Sequence, residues 1–246
     1  MNEILEPAVS EALKPGDDPD SYWAAVQEVQ KRDPAQVWAA LLPLAKSPDE
    51  RLRTLVPDVL RYLGAAIGKP QPLLEQTVSL LREMLASESD VQTLGAIADA
   101  FNDLHHPAVV EMLLPLTHHE LADVRERAVH GLIQATEQVM SRFIELTMDP
   151  EQEIRNWTLF ALSTLLEVRP QHVGALREVF AQRINDPYAE AKAEAVLGLA
   201  RCLDRRAIDP VRTGLNSGFD HYKEAAQLLI DKGIGADVLR RALSKI

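Results

Sequence analysis

Cysteine is nearly absent from this sequence: Cys202 is the one thiol in 246 residues. No intrachain disulfide can form, so a reduced, cytoplasmic compartment is expected. No apolar run approaches the roughly 20 residues needed to cross a bilayer. The opening MNEILEPAV is acidic, is interrupted by Pro7 and lacks the charged-then-apolar pattern of a signal segment. No membrane association is expected. Aromatic residues make up only 5% of the chain against 46% apolar, so the core must be mostly Leu, Ala and Val. Positive charge is also short. A formal net charge of -11 disfavours nucleic-acid backbones and anionic membranes and favours a basic protein partner.

The patterns that carry chemistry are missing as well. There is no GxSxG, and the GIG at Gly233 to Gly235 is a helix-to-helix turn with no strand before it, so it is not a phosphate loop. Carboxylates are plentiful, yet no pair lies in an apolar run that would raise one pKa for acid–base work. The pairs His105-His106 and His118-His119 flank the helical stretch PAVVEMLLPLT, which separates them by roughly 18 Å. They cannot share an ion and are expected to satisfy helix ends. Cys202 falls at a core position and not at a nucleophile's. No metal, cofactor or catalytic residue is expected, and the chain reads as a non-enzyme.

Helix starts, by contrast, are abundant. Asp/Ser-Pro steps occur at Asp18-Pro19, Asp33-Pro34, Ser47-Pro48, Asp149-Pro150, Asp186-Pro187 and Asp209-Pro210. The acidic or hydroxyl side chain can cap free N–H groups, and proline suits the first helical position. A further turn is expected over Pro15 to Ser21. Aligning the second helices of successive pairs gives one recurring phrase: apolar, basic, two variable, small, apolar, variable, small, apolar. It reads VRERAVHGL from Val124, IRNWTLFAL from Ile154 and AKAEAVLGL from Ala191. LRTLVPDVL from Leu52, YKEAAQLLI from Tyr222 and VQTLGAIAD from Val91 are weaker copies. The anchors 52, 91, 124, 154, 191 and 222 are spaced by 39, 33, 30, 37 and 31 residues. A period in the thirties with two helical patterns per period marks a helical solenoid.

These phrases resemble HEAT repeats, in particular the short bacterial type also found in phycobilisome lyase subunits. The resemblance covers roughly residues 34–235 and implies an all-α, right-handed α-solenoid of helical hairpins. Residues 1–33 and 236–246 would then be capping helices, the last with Arg240, Arg241 and Lys245 on a polar face. It further implies a ladder between successive repeats, built on the spacing of Asp149 with Arg155 and Asp186 with Lys192. The first half departs from that spacing: His119 precedes Arg125, Ser47 precedes Arg53 and Ala86 precedes Gln92, so its ladder is expected to be incomplete.

At 100° per residue, Ile154, Thr158, Ala161, Leu162 and Leu165 share the core face of the central helix, and Asn156, Phe160 and Ser163 point away. The equivalent outward column holds Thr54, Asp58 and Arg61; Thr93, Ile97 and Ala100; Glu126, His130 and Ile133; and Ala193, Leu197 and Ala200. Trp157, Arg127 and Glu194 share one flank position. In HEAT arrays this helix lines the concave surface. The candidate partner-binding residues are therefore Arg127, His130, Asn156, Trp157, Phe160, Glu194 and Leu197, with Phe160 and Trp157 as anchors. The expected function is a non-catalytic protein-binding scaffold or adaptor, one version being an immunity-type inhibitor of a basic protein. The alternative is a lyase-like accessory subunit or a nucleic-acid-directed enzyme. HEAT-like repeats also build some alkylpurine DNA glycosylases, and Arg53, Arg61, Arg125, Arg127 and Arg201 would be the local basic patch such a reading needs.

Overall fold

Helical runs broken by Asp, Pro and Gly steps fold here into short antiparallel hairpins. The computed structural model describes residues 3–14, 18–65 and 71–246, and no strand occurs among them. The part of the expected turn that falls on residues 15–17 lies outside the described residues. The chain forms two units, Met1–Leu132 and Ile133–Ile246.

The first unit comprises α1 (Glu6–Ala12), α2 (Pro19–Gln30), α3 (Pro34–Leu41), α4 (Glu50–Leu60), α5 (Leu74–Leu85), α6 (Val91–Leu104), α7 (Val109–Leu113) and α8 (Ala122–Leu132). Aspartates start four of these helices by accepting a backbone N–H: Asp18 from Ser21, Asp33 from Gln36, Asp49 from Arg51 and Asp90 from Thr93. Pro19 and Pro34 each occupy the first helical position, where their missing N–H costs nothing. Helix α4 packs on α6 and α6 on α8, while α5 meets α6 and α7 meets α8.

The second unit comprises α9 (Thr136–Leu146), α10 (Gln152–Val168), α11 (Val173–Arg183), α12 (Ala189–Arg201), α13 (Ile208–Gly214), α14 (Asp220–Asp231) and α15 (Ala236–Leu243). Helix α10 packs on α12 and α12 on α14, each beside the helix that precedes it in the chain. Within each unit the architecture is therefore all-α, hairpin stacked on hairpin, as in an α-solenoid. The small position of the recurring phrase has a packing reason. A Cβ added at Gly198 would overlap the Phe180 ring, and one added at Gly131 would overlap Leu113. In each case the large residue comes from the preceding helix of the same hairpin.

Four of the six expected caps are corrected. Helix α4 starts after Asp49 and not after Ser47, and α13 begins at Ile208, so that Asp209 and Pro210 lie inside it. Helices α10 and α12 start later than their Asp-Pro steps. Helix α10 begins at Gln152, after Glu151, and α12 begins at Ala189, after Tyr188. Asp149 and Asp186 instead accept the amides two residues on, Glu151 and Tyr188, at 2.9 Å each. These Asx turns sit ahead of the helix. His106 and His119 do the same through Nδ1, accepting from Ala108 and Leu121 at 3.1 Å each. The histidines thus stand where other repeats have aspartate.

The turn carbonyls released by this geometry are taken by arginine. Arg155 Nη1 donates to the carbonyls of Asp149 and Pro150 at 2.9 and 3.0 Å. Arg53 does so to Ser47 and Pro48, and Arg125 to His119 and Glu120. The remaining guanidinium nitrogens of Arg155 fork onto Asp186 in the next repeat, and those of Arg53 fork onto Glu88. The first unit therefore has a complete rung where the spacing expected a gap. Its acid stands two residues later, at Glu88, and the longer glutamate side chain reaches back.

The core face of α10 is as expected, with Ile154, Thr158, Ala161, Leu162 and Leu165 all buried. The outward column is largely corrected: Asp58, Thr93, Ile97, Ala100, Ser163, Ala193, Leu197 and Ala200 are buried too. A second helix in the middle of a stack is covered by its hairpin partner and by the second helices before and after it. Small residues such as Ala193, Ala195, Gly198 and Ala200 on α12 let those neighbours close in. Two of its buried polar members are satisfied across the stack. Thr93 Oγ1 lies 2.9 Å from Thr54 Oγ1, and Ser163 Oγ accepts from Arg201 Nη1 at 2.6 Å.

Candidate functional site

Phe160 and Trp157 remain accessible. Three residues apart on α10, both are half-buried, and their rings meet edge to face with centroids 5.8 Å apart and planes at 87°. Phe160 lines a groove of about 390 Å³ within the second unit, together with Ile133, Ala161, Leu165 and Val168. Glu137 and Arg169 stand on its rim. Glu137 accepts from Arg169 Nε at 3.2 Å and pairs with His172 Nε2 at 3.1 Å. The His172 hydrogen bond first, then that of Arg169, holds the Glu137 carboxyl below the usual range. Val168 is largely exposed, so apolar surface continues out of the groove along α10. Asn156, also half-buried, lies beside Trp157 in the chain.

Other expected members of the face have different work. Leu197 is 3% exposed and Glu194 7%, so neither is on an accessible surface. Glu194 Oε1 instead pairs with His221 Nε2 of α14 at 2.9 Å. That contact raises the His221 pKa, with the hydrogen bond as the leading cause. In the first unit, Arg127 Nη1 donates to Asp99 Oδ2 of α6 at 3.0 Å, its side chain lying so close over Gly95 that a Cβ there would overlap it. His130 is half-buried and faces Glu126 at 3.9 Å. The flank position shared by Trp157, Arg127 and Glu194 thus serves a link between second helices in two of its three occurrences.

The arginines of the expected basic patch are likewise engaged. Arg53 and Arg125 hold turn carbonyls. Arg61 Nε lies 2.9 Å from Asp103 Oδ2, and Arg201 pairs with Glu167 and Glu224. Cys202 is buried, and burial pushes its thiol up to about 11, a poor nucleophile near neutrality.

A polar cluster in the first unit escaped the sequence reading. Tyr22 donates to the buried carboxylate of Asp58 at 2.7 Å. Desolvation lifts Asp58 to about 6, so one carboxylate does carry a raised pKa, supplied by tertiary burial and not by an apolar run. Beside it the Arg61 guanidinium lies 5.3 Å from the Trp23 ring centroid and 5.1 Å from that of Tyr62. Both rings are partly exposed, at 37% and 44%. The adjacent Arg61-Tyr62 pair was the available signal, but nothing in the sequence placed Trp23 near it. Charge is also unevenly divided, with 21 acidic and 11 basic residues in Met1–Leu132 against 16 and 15 in Ile133–Ile246.

Among the described residues no group of His, Cys, Asp and Glu is arranged to hold a metal ion, and no helix is long and apolar enough to cross a membrane.

Comparison with known proteins yields a fold and little more. No family model matches the chain. Protein YibA of Escherichia coli K12 is 25% identical over 134 residues, which cover 53% of this chain and 46% of that protein. Protein YibA of Escherichia coli O157:H7 matches to the same extent. The chain thus spans about half the length of the curated relatives it matches. The X-ray structure of Escherichia coli YibA aligns with a TM-score of 0.77 at 17% identity, covering 100% of this chain and 88% of that one. At that identity the likeness is one of helical architecture.

Proposed function

We propose that this helical-repeat chain is a HEAT-like, non-catalytic protein-binding scaffold that docks a partner segment on the aromatic edge of α10. The observation that carries this reading is the edge-to-face pair of Trp157 and Phe160, half-exposed beside an apolar groove. Large aromatic side chains with an apolar groove lining and a polar rim match the anatomy of interface anchors. The face is smaller than the sequence suggested: Asn156, Trp157 and Phe160 stay in it, and Leu197 and Glu194 leave it. The net charge of -11 over the whole chain supports a basic partner, as an immunity-type inhibitor of a basic protein would have, because opposite charge speeds encounter and disfavours wrong partners.

The test compares partner capture by the parent chain and by Trp157→Ala with Phe160→Ala. Loss of one anchor of this kind costs about 2 kcal/mol or more of binding, so at least about a tenfold drop in retained partner is expected. An unchanged partner set, from a variant with parental circular dichroism, would rule out this face.

A further inference from the structure

Positive charge, scarce in this chain, gathers at one cavity of the second unit. Between α13 and α15 lies a cavity of about 470 Å³ whose charged lining is wholly basic: Arg212 from α13, Arg241 from α15 and Lys245 just beyond it. Asn216 shares the wall, Leu215 and Ala242 supply apolar surface, and no carboxylate is among the described residues that line it. The cations are far apart in the sequence and converge only because α13 and α15 pack together.

Their existing contacts are weak or partial. Arg212 Nη2 donates to Asp209 Oδ1 at 3.0 Å, but both side chains are well exposed, and a solvated pair of this kind exchanges easily. Arg241 uses Nε on the carbonyl of Asp237 at 3.0 Å, which leaves its terminal nitrogens available. Cations in the last helical turn interact favourably with the helix dipole. That effect explains a cation at each helix end, but it does not require three cations to line one cavity whose lining holds no carboxylate among the described residues. Guanidinium forks match phosphoryl and carboxylate oxygens, and an anion of several charges relieves the repulsion among neighbouring cations.

We propose that this cavity binds a small, multiply charged anion, its phosphoryl or carboxylate oxygens held by Arg212, Arg241 and Lys245, with the Asn216 amide as a further donor. The site is separate from the aromatic edge of α10, and its test does not depend on any protein partner.

Isothermal titration of the full chain with tripolyphosphate, and separately with citrate, tests the assignment. Saturable single-site binding that weakens as salt rises is expected. Arg241→Ala and Lys245→Ala should each weaken it by about tenfold, the worth of a charge-assisted contact. Arg206→Ala serves as control, because Arg206 is held elsewhere by Glu178 and Asp204, and should leave binding unchanged. Tighter tripolyphosphate supports a phosphoryl ligand and tighter citrate a carboxylate one. Absence of saturable binding by both, or an equal loss in Arg206→Ala, overturns the proposal and leaves these cations to the helix ends.

Discussion

Arg155 on α10 grips Asp186, at the turn before α12, through two parallel bonds of 3.0 Å from Nε and Nη2. Its Nη1 holds the two carbonyls at the turn before its own helix. One side chain therefore closes a turn and ties its repeat to the next. Asp186 also accepts from Arg183, so the buried Arg155 and the half-buried Arg183 share this carboxylate. Asp186→Ala leaves both without their counter-charge and is expected to cost about 3–5 kcal/mol. Urea unfolding followed by circular dichroism measures it. Arg155→Met combined with Asp186→Ala should cost less than the two single changes added, because the pair is coupled. Simple additivity would mean the rung carries no energy of its own.

Gly198→Ala should destabilise by about 1–3 kcal/mol, the usual cost of overpacking, because the new methyl overlaps the Phe180 ring. Phe180→Leu in the same chain should recover part of the loss. Thermal unfolding of the two single variants and the double variant decides it, and a double variant no better than Gly198→Ala would refute the contact.

Asp58 gives a pH dependence of defined sign. Its folded pKa is raised to about 6 from 3.8, so the folded state binds its proton more tightly than the unfolded state does. The Asp58 contribution is favourable below about pH 4 and is lost as pH rises through 6. Above that, the ionised buried carboxylate is a burden worth at most about 3 kcal/mol. Asp58→Asn, which still accepts from Tyr22, should raise stability by about 1–2 kcal/mol at pH 8 and leave it little changed at pH 4. Denaturant midpoints at the two pH values supply the comparison, and a loss of stability at pH 8 would contradict it.

His221 provides the complementary case. Its pKa is raised chiefly by the hydrogen bond to Glu194. That stabilisation is fully present below the unfolded value near 6.5 and fades as pH rises through the folded one. In an NMR titration the His221 ring should have a midpoint above 6.5, and Glu194→Gln should lower it. A midpoint indifferent to that substitution would break the assignment.

The sequence by itself determined the class of structure. The Asp/Ser-Pro steps, the recurring phrase and its period in the thirties require short helices that cannot bury their apolar faces alone and must stack. They also identified the buried stripe of α10 and the small positions at Gly131 and Gly198, while the acid–base link between repeats was implied by the resemblance to HEAT arrays. Only the tertiary structure decided which residues stay accessible. Helical periodicity finds the side facing the hairpin partner but cannot see the repeats above and below, which cover Leu197, Glu194 and Ser163. Nor does local spacing reveal that Glu88 replaces the acid expected at Ala86, that Asp58 is buried against Tyr22, or that Arg212 meets Arg241 and Lys245. Each depends on how closely neighbouring helices approach, which side-chain size sets across the stack and not along the chain. Trp157 and Phe160 stay half-exposed on α10, while the equivalent Glu194 and Leu197 on α12 are covered.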